Sequence, residues 1–165
     1  MKNICLFLGA GLMAVLVGCA TTPVAVVVPV GPNPAGGKSL ASEGGLQVFS
    51  RLAERTDDQN QASRDDVWYQ HTDYYIYNLQ HRLVKRVDNT IGHYEEAPRV
   101  VTLPPGKYLV KAEANDDSWV NVPVMIEPGR TTRIHLDDNW PVPAYASKND
   151  LVSLPNGYPI GWQAK

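Results

Sequence analysis

The chain has 165 residues, 15 of them Lys or Arg and 17 Asp or Glu, for a formal net charge of −2. That balance excludes the basic footprint a nucleic-acid partner requires: the nearest run, Leu83-Val84-Lys85-Arg86-Val87-Asp88, sets two adjacent positive charges in a strand-like pattern. Two cysteines, Cys5 and Cys19, are too few for a disulfide framework, and the length suits one domain with a sizeable core.

The first element is a leader. Lys2 precedes an uncharged apolar run of about 13 residues that ends in Leu16-Val17-Gly18-Cys19. The run is too short to span a bilayer and has the proportions of a secretory hydrophobic region. Its last four residues, LVGC, resemble the lipobox of bacterial lipoproteins. The resemblance implies that residues 1–18 are a signal peptide and that Cys19 becomes the first mature residue, its thiolate accepting the lipid. It also implies three acyl chains, which anchor a protein permanently. Ala20, rather than Asp, after the Cys implies passage to the outer membrane, facing the periplasm. The mature chain of about 147 residues then holds no free thiol.

Residues 19–45 follow as lipidated Cys and linker. Pro29, Pro32 and Pro34 favour extended backbone, and Gly36, Gly37, Gly44 and Gly45 loosen it, so the stretch is expected to be a flexible leash holding the domain on the order of 30 Å from the lipid. Within it, VVVPVGPNPAGGKS imitates a strand entering a phosphate loop. A P-loop needs Gly, four intervening residues and then Gly-Lys-Ser, and position 32 is Pro; Pro32 and Pro34 also lack amide donors that the cradle would use. A nucleotide site is therefore not expected.

From 46 to 137 the sequence breaks into short period-two runs bounded by Pro, Gly, Asn and Asp: Leu46–Ser50, Tyr74–Asn78, Leu83–Val87, Arg99–Leu103, Lys107–Ala114, Trp119–Ile126 and a last strand with Thr132, Ile134 and Leu136 on its inner face. Seven strands at this spacing predict an all-β fold, a single antiparallel sandwich. Arg51 to Asp66 lacks strand character and reads as a polar loop or a short helix. VVTLPPGKYLVKAEAND and VNVPVMIEPGRTTRIHLD, between Val100 and Asp137, resemble PEGA-type and transthyretin-like or carboxypeptidase-regulatory-like domains, although no Pro-Glu-Gly-Ala turn is present. That resemblance implies an Ig-like or prealbumin-like sandwich and no particular activity. Residues 138–165 form a Pro-rich tail in which Leu151–Leu154 and Tyr158–Trp162 flank Pro155-Asn156-Gly157 as a hairpin packing on the sandwich.

Residues that carry chemistry are sparse. His71, His81, His93 and His135 show no metal-ligand spacing, although His71-Thr72-Asp73 and His93-Tyr94-Glu95-Glu96 each pair a His with carboxylates. Asn115-Asp116-Asp117 and Asp137-Asp138-Asn139 are accounted for as turns, because neither has a calcium loop's distant Glu. A nucleophile elbow is missing from the sequence. No metal, cofactor, nucleotide or nucleic acid is therefore expected, and no enzymatic activity. Tyr and Trp are abundant beside two Phe, and Trp140, Tyr145, Tyr158 and Trp162 in the tail are the candidate ligand or partner surface. The resulting expectation is a lipid-tethered, non-enzymatic binding or scaffolding module of the cell envelope, with an envelope protein or glycan as partner. The alternative is a carbohydrate-binding module, which requires Trp140 and Trp162 to lie coplanar and exposed.

Overall fold

Runs of Val, Ile, Tyr and Thr with alternating polarity set the architecture, because β-branched and aromatic side chains fit a pleated, half-buried surface. The computed structural model describes residues 23–55, 68–89 and 97–165; Cys19 and the expected leader 1–18, His93–Glu96 and residues 56–66 lie outside them. The strands are β1 (Val24–Ala25), β2 (Val30–Gly31), β3 (Gly44–Phe49), β4 (Leu52–Arg55), β5 (Trp68–His71), β6 (Tyr74–Tyr77), β7 (Leu83–Val87), β8 (Val101–Leu103), β9 (Gly106–Glu113), β10 (Trp119–Ile126), β11 (Thr131–His135), β12 (Leu151–Ser153) and β13 (Pro159–Gln163). Among the described residues there is no α-helix, and none long and apolar enough to cross a membrane.

The chain is all-β, and its sheets are mixed. The larger runs β12-β13-β2-β10-β9-β6-β7, with β1 also against β10; the smaller runs β11-β3-β8, and β4 pairs with β5 as a ribbon. The seven expected runs appear as β3 and β6 to β11, but the expected seven-stranded antiparallel arrangement is not what forms. Among the described residues six further strands are present, two of them, β12 and β13, at the expected tail hairpin, and β1/β10, β2/β10 and β3/β11 pair in parallel. The reason lies in the turns. Pro104-Pro105 leads from β8 in the small sheet to β9 in the large one, and Glu127–Arg130 leads from β10 back to β11, so β11 arrives running in the direction of β3. Gly129 sits at φ +71°, and a Cβ there would meet the Ser39 carbonyl at 2.1 Å, so this turn requires glycine.

One core joins the two sheets. Val110, Ala112, Val120, Val122 and Val124 of the large sheet pack with Leu46, Val48, Val101, Leu103 and Ile134 of the small one. The alternation of β10 is strict: Val120, Val122, Val124 and Ile126 are buried, and the residues between them are half-exposed. On the opposite face Tyr75 and Trp119 meet at 6.2 Å, with the Lys111 ammonium over the indole.

The segment expected to be a flexible leash is corrected from Val24 onward. Val24 and Ala25 pair with Val120 and Asn121, Val30 pairs with Val124 and is fully buried, and Pro32 bridges to Thr132. The Arg130 guanidinium binds both the Glu127 carboxylate and the Asn33 carbonyl, pinning the segment to the β10–β11 turn. Proline is tolerated here because the bonds use its neighbours and its carbonyl, as where the Ala164 amide donates to Pro29 O at 2.9 Å. Among the described residues of this stretch, 34–43 form a continuous exposed loop, and Val27 and Val28 are also exposed. At the other end, β12 and β13 form the hairpin around Asn156-Gly157, with Gly157 at φ +88°, and β13 docks antiparallel on β2. Leu52–Arg55, expected in a loop or helix, is strand β4.

Candidate functional site

The small sheet has an outer face, and a site forms there. Gln47 and Phe49 of β3 alternate away from the core residues Leu46 and Val48, as do Arg133 and His135 of β11. The parallel register sets His135 opposite Phe49, so their rings stack at 4.3 Å and 13°. Trp140, just beyond the end of β11, covers the other face of His135 at 5.0 Å and 3°. The β4–β5 register sets Leu52 opposite His71, whose ring meets Phe49 edge-on at 5.8 Å. Between these elements lies a cavity of about 490 Å³, lined by Phe49, Leu52, His71, Asn89, His135 and Asp137, with Tyr69, Pro98, Asn139 and Pro141 around them.

Its polar groups are held in defined states. His71 Nδ1 lies 2.6 Å from Ser50 O; a carbonyl only accepts, so Nδ1 carries a proton and donates it there. Asn89 is buried and donates through Nδ2 to Val48 O at 2.9 Å and Ser50 Oγ at 3.1 Å. That leaves Asn89 Oδ1 buried with no donor among the described residues. Asp137 is buried, its Oδ1 3.5 Å from the Asn139 amide and 4.0 Å from His135 Nδ1, and burial pushes its carboxyl above the usual range. Burial, then Arg133 and His71, lowers His135 from 6.5 to about 4, so it is neutral near pH 7. No cluster of three His, Cys, Asp or Glu able to hold a metal occurs among the described residues.

The tail aromatics are brought together, but as a ladder. Trp140 and Trp162 meet at 6.1 Å and 78°, and Trp162 is 6% exposed. Tyr145 stacks on Trp162 at 5.8 Å and is itself exposed; Tyr158 donates its hydroxyl to Asp138 O. The two tryptophans are neither coplanar nor jointly exposed, so they do not make the flat platform that stacking on a sugar ring requires. Trp140 covers a face of His135, and Trp162 joins it to the tail hairpin. Sequence reasoning treated His71, His135 and Asp137 as loop, surface or turn residues and missed Asn89. The one available signal was parity, which sets His135 opposite to the core-facing Thr132, Ile134 and Leu136.

Comparisons with protein-family models, with curated proteins and with solved structures each returned no significant match to this chain.

Proposed function

We propose that this chain is a bacterial envelope lipoprotein, anchored through lipid on Cys19, whose β-sandwich of the PEGA or transthyretin-like kind is a non-enzymatic module binding a small ligand. The observation that carries the binding reading is the cavity against Phe49, where apolar side chains stand beside the polar residues His71, Asn89 and Asp137. A volume of about 490 Å³ lies in the range of small-molecule sites, and such sites combine apolar walls with a few fixed polar groups. Binding is favoured over catalysis by His135: a general base works best with a pKa near the operating pH, whereas this ring is lowered to about 4 and has both faces covered. The LVGC motif supports the anchor and the outer-membrane, periplasm-facing location. Because β1 begins at Val24, five residue steps separate it from Cys19, a reach of about 17 Å at ~3.4 Å per residue, so the module would sit close to the bilayer.

Two measurements test this. Radiolabelled palmitate enters the wild type and not Cys19→Ser; equal labelling removes the anchor. Native mass spectrometry of the chain extracted from envelopes finds a small-molecule adduct that Leu52→Trp, which fills the cavity, abolishes; an adduct retained in that variant removes the cavity as its seat.

A further inference from the structure

We infer that the outer face of the large sheet lies down on an anionic lipid surface, an inference that rests on the lipid anchor proposed above. The small sheet packs against one face of β6, β9 and β10, and the opposite face is half-exposed along its length. A solvent-facing side of a sheet ordinarily alternates polar residues with the core residues. Here the register gathers a different chemistry: Tyr75 and Tyr77 stand opposite Lys111 and Leu109, and Trp119 and Met125 alternate away from the core valines of β10. The bulge in β7 brings Leu83 and Val84, both exposed, beside Tyr77. Lys107, opposite Met125, and Lys111 share this face, and neither forms an ion pair among the described residues; the Lys111 ammonium lies over the Trp119 ring at 5.1 Å instead. Arg86 borders the face and is held by Asp73 at 2.8 Å. Rings with an apolar body and a polar handle, aliphatic side chains and free ammonium groups suit the headgroup zone of a bilayer, where the rings settle among headgroups and the cations meet phosphates.

The tether and the charges together select the occupant. β1 joins the sheet with Ala25 opposite Asn121, so the chain from Cys19 arrives at the Trp119 end of this face, and the residue steps before Val24 span only about 17 Å. A module held that close meets the bilayer either with the end of the fold or with the face. The end carries Glu113, Asp116 and Asp117, and Arg51 is the cation that reaches Asp117 and Glu113 there, so an anionic surface repels it. The face carries Lys107 and Lys111 and is attracted. The module therefore lies flat, with Trp119 nearest the anchor. A second copy seated on the same patch would set lysines against lysines, because a two-fold interface presents one surface to itself.

The test reconstitutes the full acylated chain into vesicles of phosphatidylglycerol mixed with phosphatidylcholine, and of phosphatidylcholine alone, with acyl chains brominated near the headgroup to quench tryptophan. The wild type is expected to be quenched in the phosphatidylglycerol mixture, and Trp119→Phe to lose that quenching although Trp68, Trp140 and Trp162 remain. Lys107→Gln combined with Lys111→Gln is expected to lower the ratio of docked to free modules by about fivefold for each lysine removed. Phosphatidylcholine alone and high salt should lower it in the same direction, whereas Lys107→Arg with Lys111→Arg keeps the wild-type quenching. Quenching that is absent, that survives in Trp119→Phe, or that ignores both the Gln pair and salt overturns the proposal. A chain that floats with the vesicles while Trp119 stays unquenched defeats the docking and spares the anchor; a chain that fails to float defeats both. Lysines shielded from amine labelling in envelopes but open in the vesicles assign the face to an acidic protein, and shielding in detergent with a doubled native mass assigns it to a second copy; either result overturns the lipid surface.

Discussion

Acidification tests the environment of His135. Its ring is buried between Phe49 and Trp140 and is lowered from 6.5 to about 4, by burial first and by Arg133 and His71 after it. Above pH 6.5 the imidazole is neutral in both folded and unfolded chains and adds no pH dependence. Between 6.5 and about 4 the unfolded ring binds a proton and the folded ring does not, so the unfolded state gains and stability falls with pH. At ~1.4 kcal/mol per pH step the loss approaches about 3 kcal/mol and levels off below the folded value. Asp137 works in the opposite direction: its raised carboxyl takes up a proton in the folded state first, returning part of the loss as pH falls through the upper carboxylate range. Urea unfolding followed by tryptophan fluorescence at about pH 7.5 and about pH 4.5, compared between wild type and His135→Phe, isolates the ring, since Phe keeps the stack and cannot titrate. The wild type should lose about 2–3 kcal/mol more than the variant across that interval. Identical losses in the two proteins would refute the buried neutral imidazole.

Four further outcomes are expected. Val30→Asp places a charge at a fully buried β2 position and should destabilise by about 4 kcal/mol or more in urea unfolding; a change within the error of the measurement would restore the leash. Tyr74→Phe removes a buried hydroxyl that has no partner among the described residues, and whose ionisation burial opposes, so it should be neutral or stabilising by about 1 kcal/mol; a clear drop in melting temperature would reveal a partner. Gly129→Ala should cost about 2–3 kcal/mol, since φ +71° and the Ser39 backbone both resist a Cβ, and wild-type stability would contradict that turn. His81 holds φ +56° in the β6–β7 turn, and His81→Gly should stabilise by about 0.5–1 kcal/mol in the same assay; destabilisation would mean the imidazole is needed there.

Much of the fold is legible where burial on one face writes itself as alternation. Trp119–Ile126 shows it most plainly, and the Pro-Gly turns on either side of β9–β10 mark the crossings. Strands β1 and β2 are illegible for a local reason: prolines and short pairings look like linker composition, and it is distant β10 and β13 that order them. Strands β4 and β5 pair as a two-stranded ribbon of WYQH against LAER, with no simple alternation to read. The site is less legible still. His71, Asn89 and His135 are far apart in sequence, and nothing local to any of them announces that β3 and β11 run side by side with Phe49 opposite His135. The aromatic tail drew attention through composition, yet composition does not say whether two indoles lie flat together or meet at 78°.

The placement of β2 has a consequence for how the chain is made. It lies between β10 and β13, pairing with Val124 on one side and with Trp162 and Gln163 on the other. During vectorial synthesis β2 emerges before either neighbour, β10 following it after seven intervening strands and β13 later still. Closing so long a loop is slow, and until it closes β2 presents unpaired backbone groups. A chain truncated before Pro159 would leave the β13 side of β2 unpaired, an open sheet edge of the kind that invites aggregation and proteolysis.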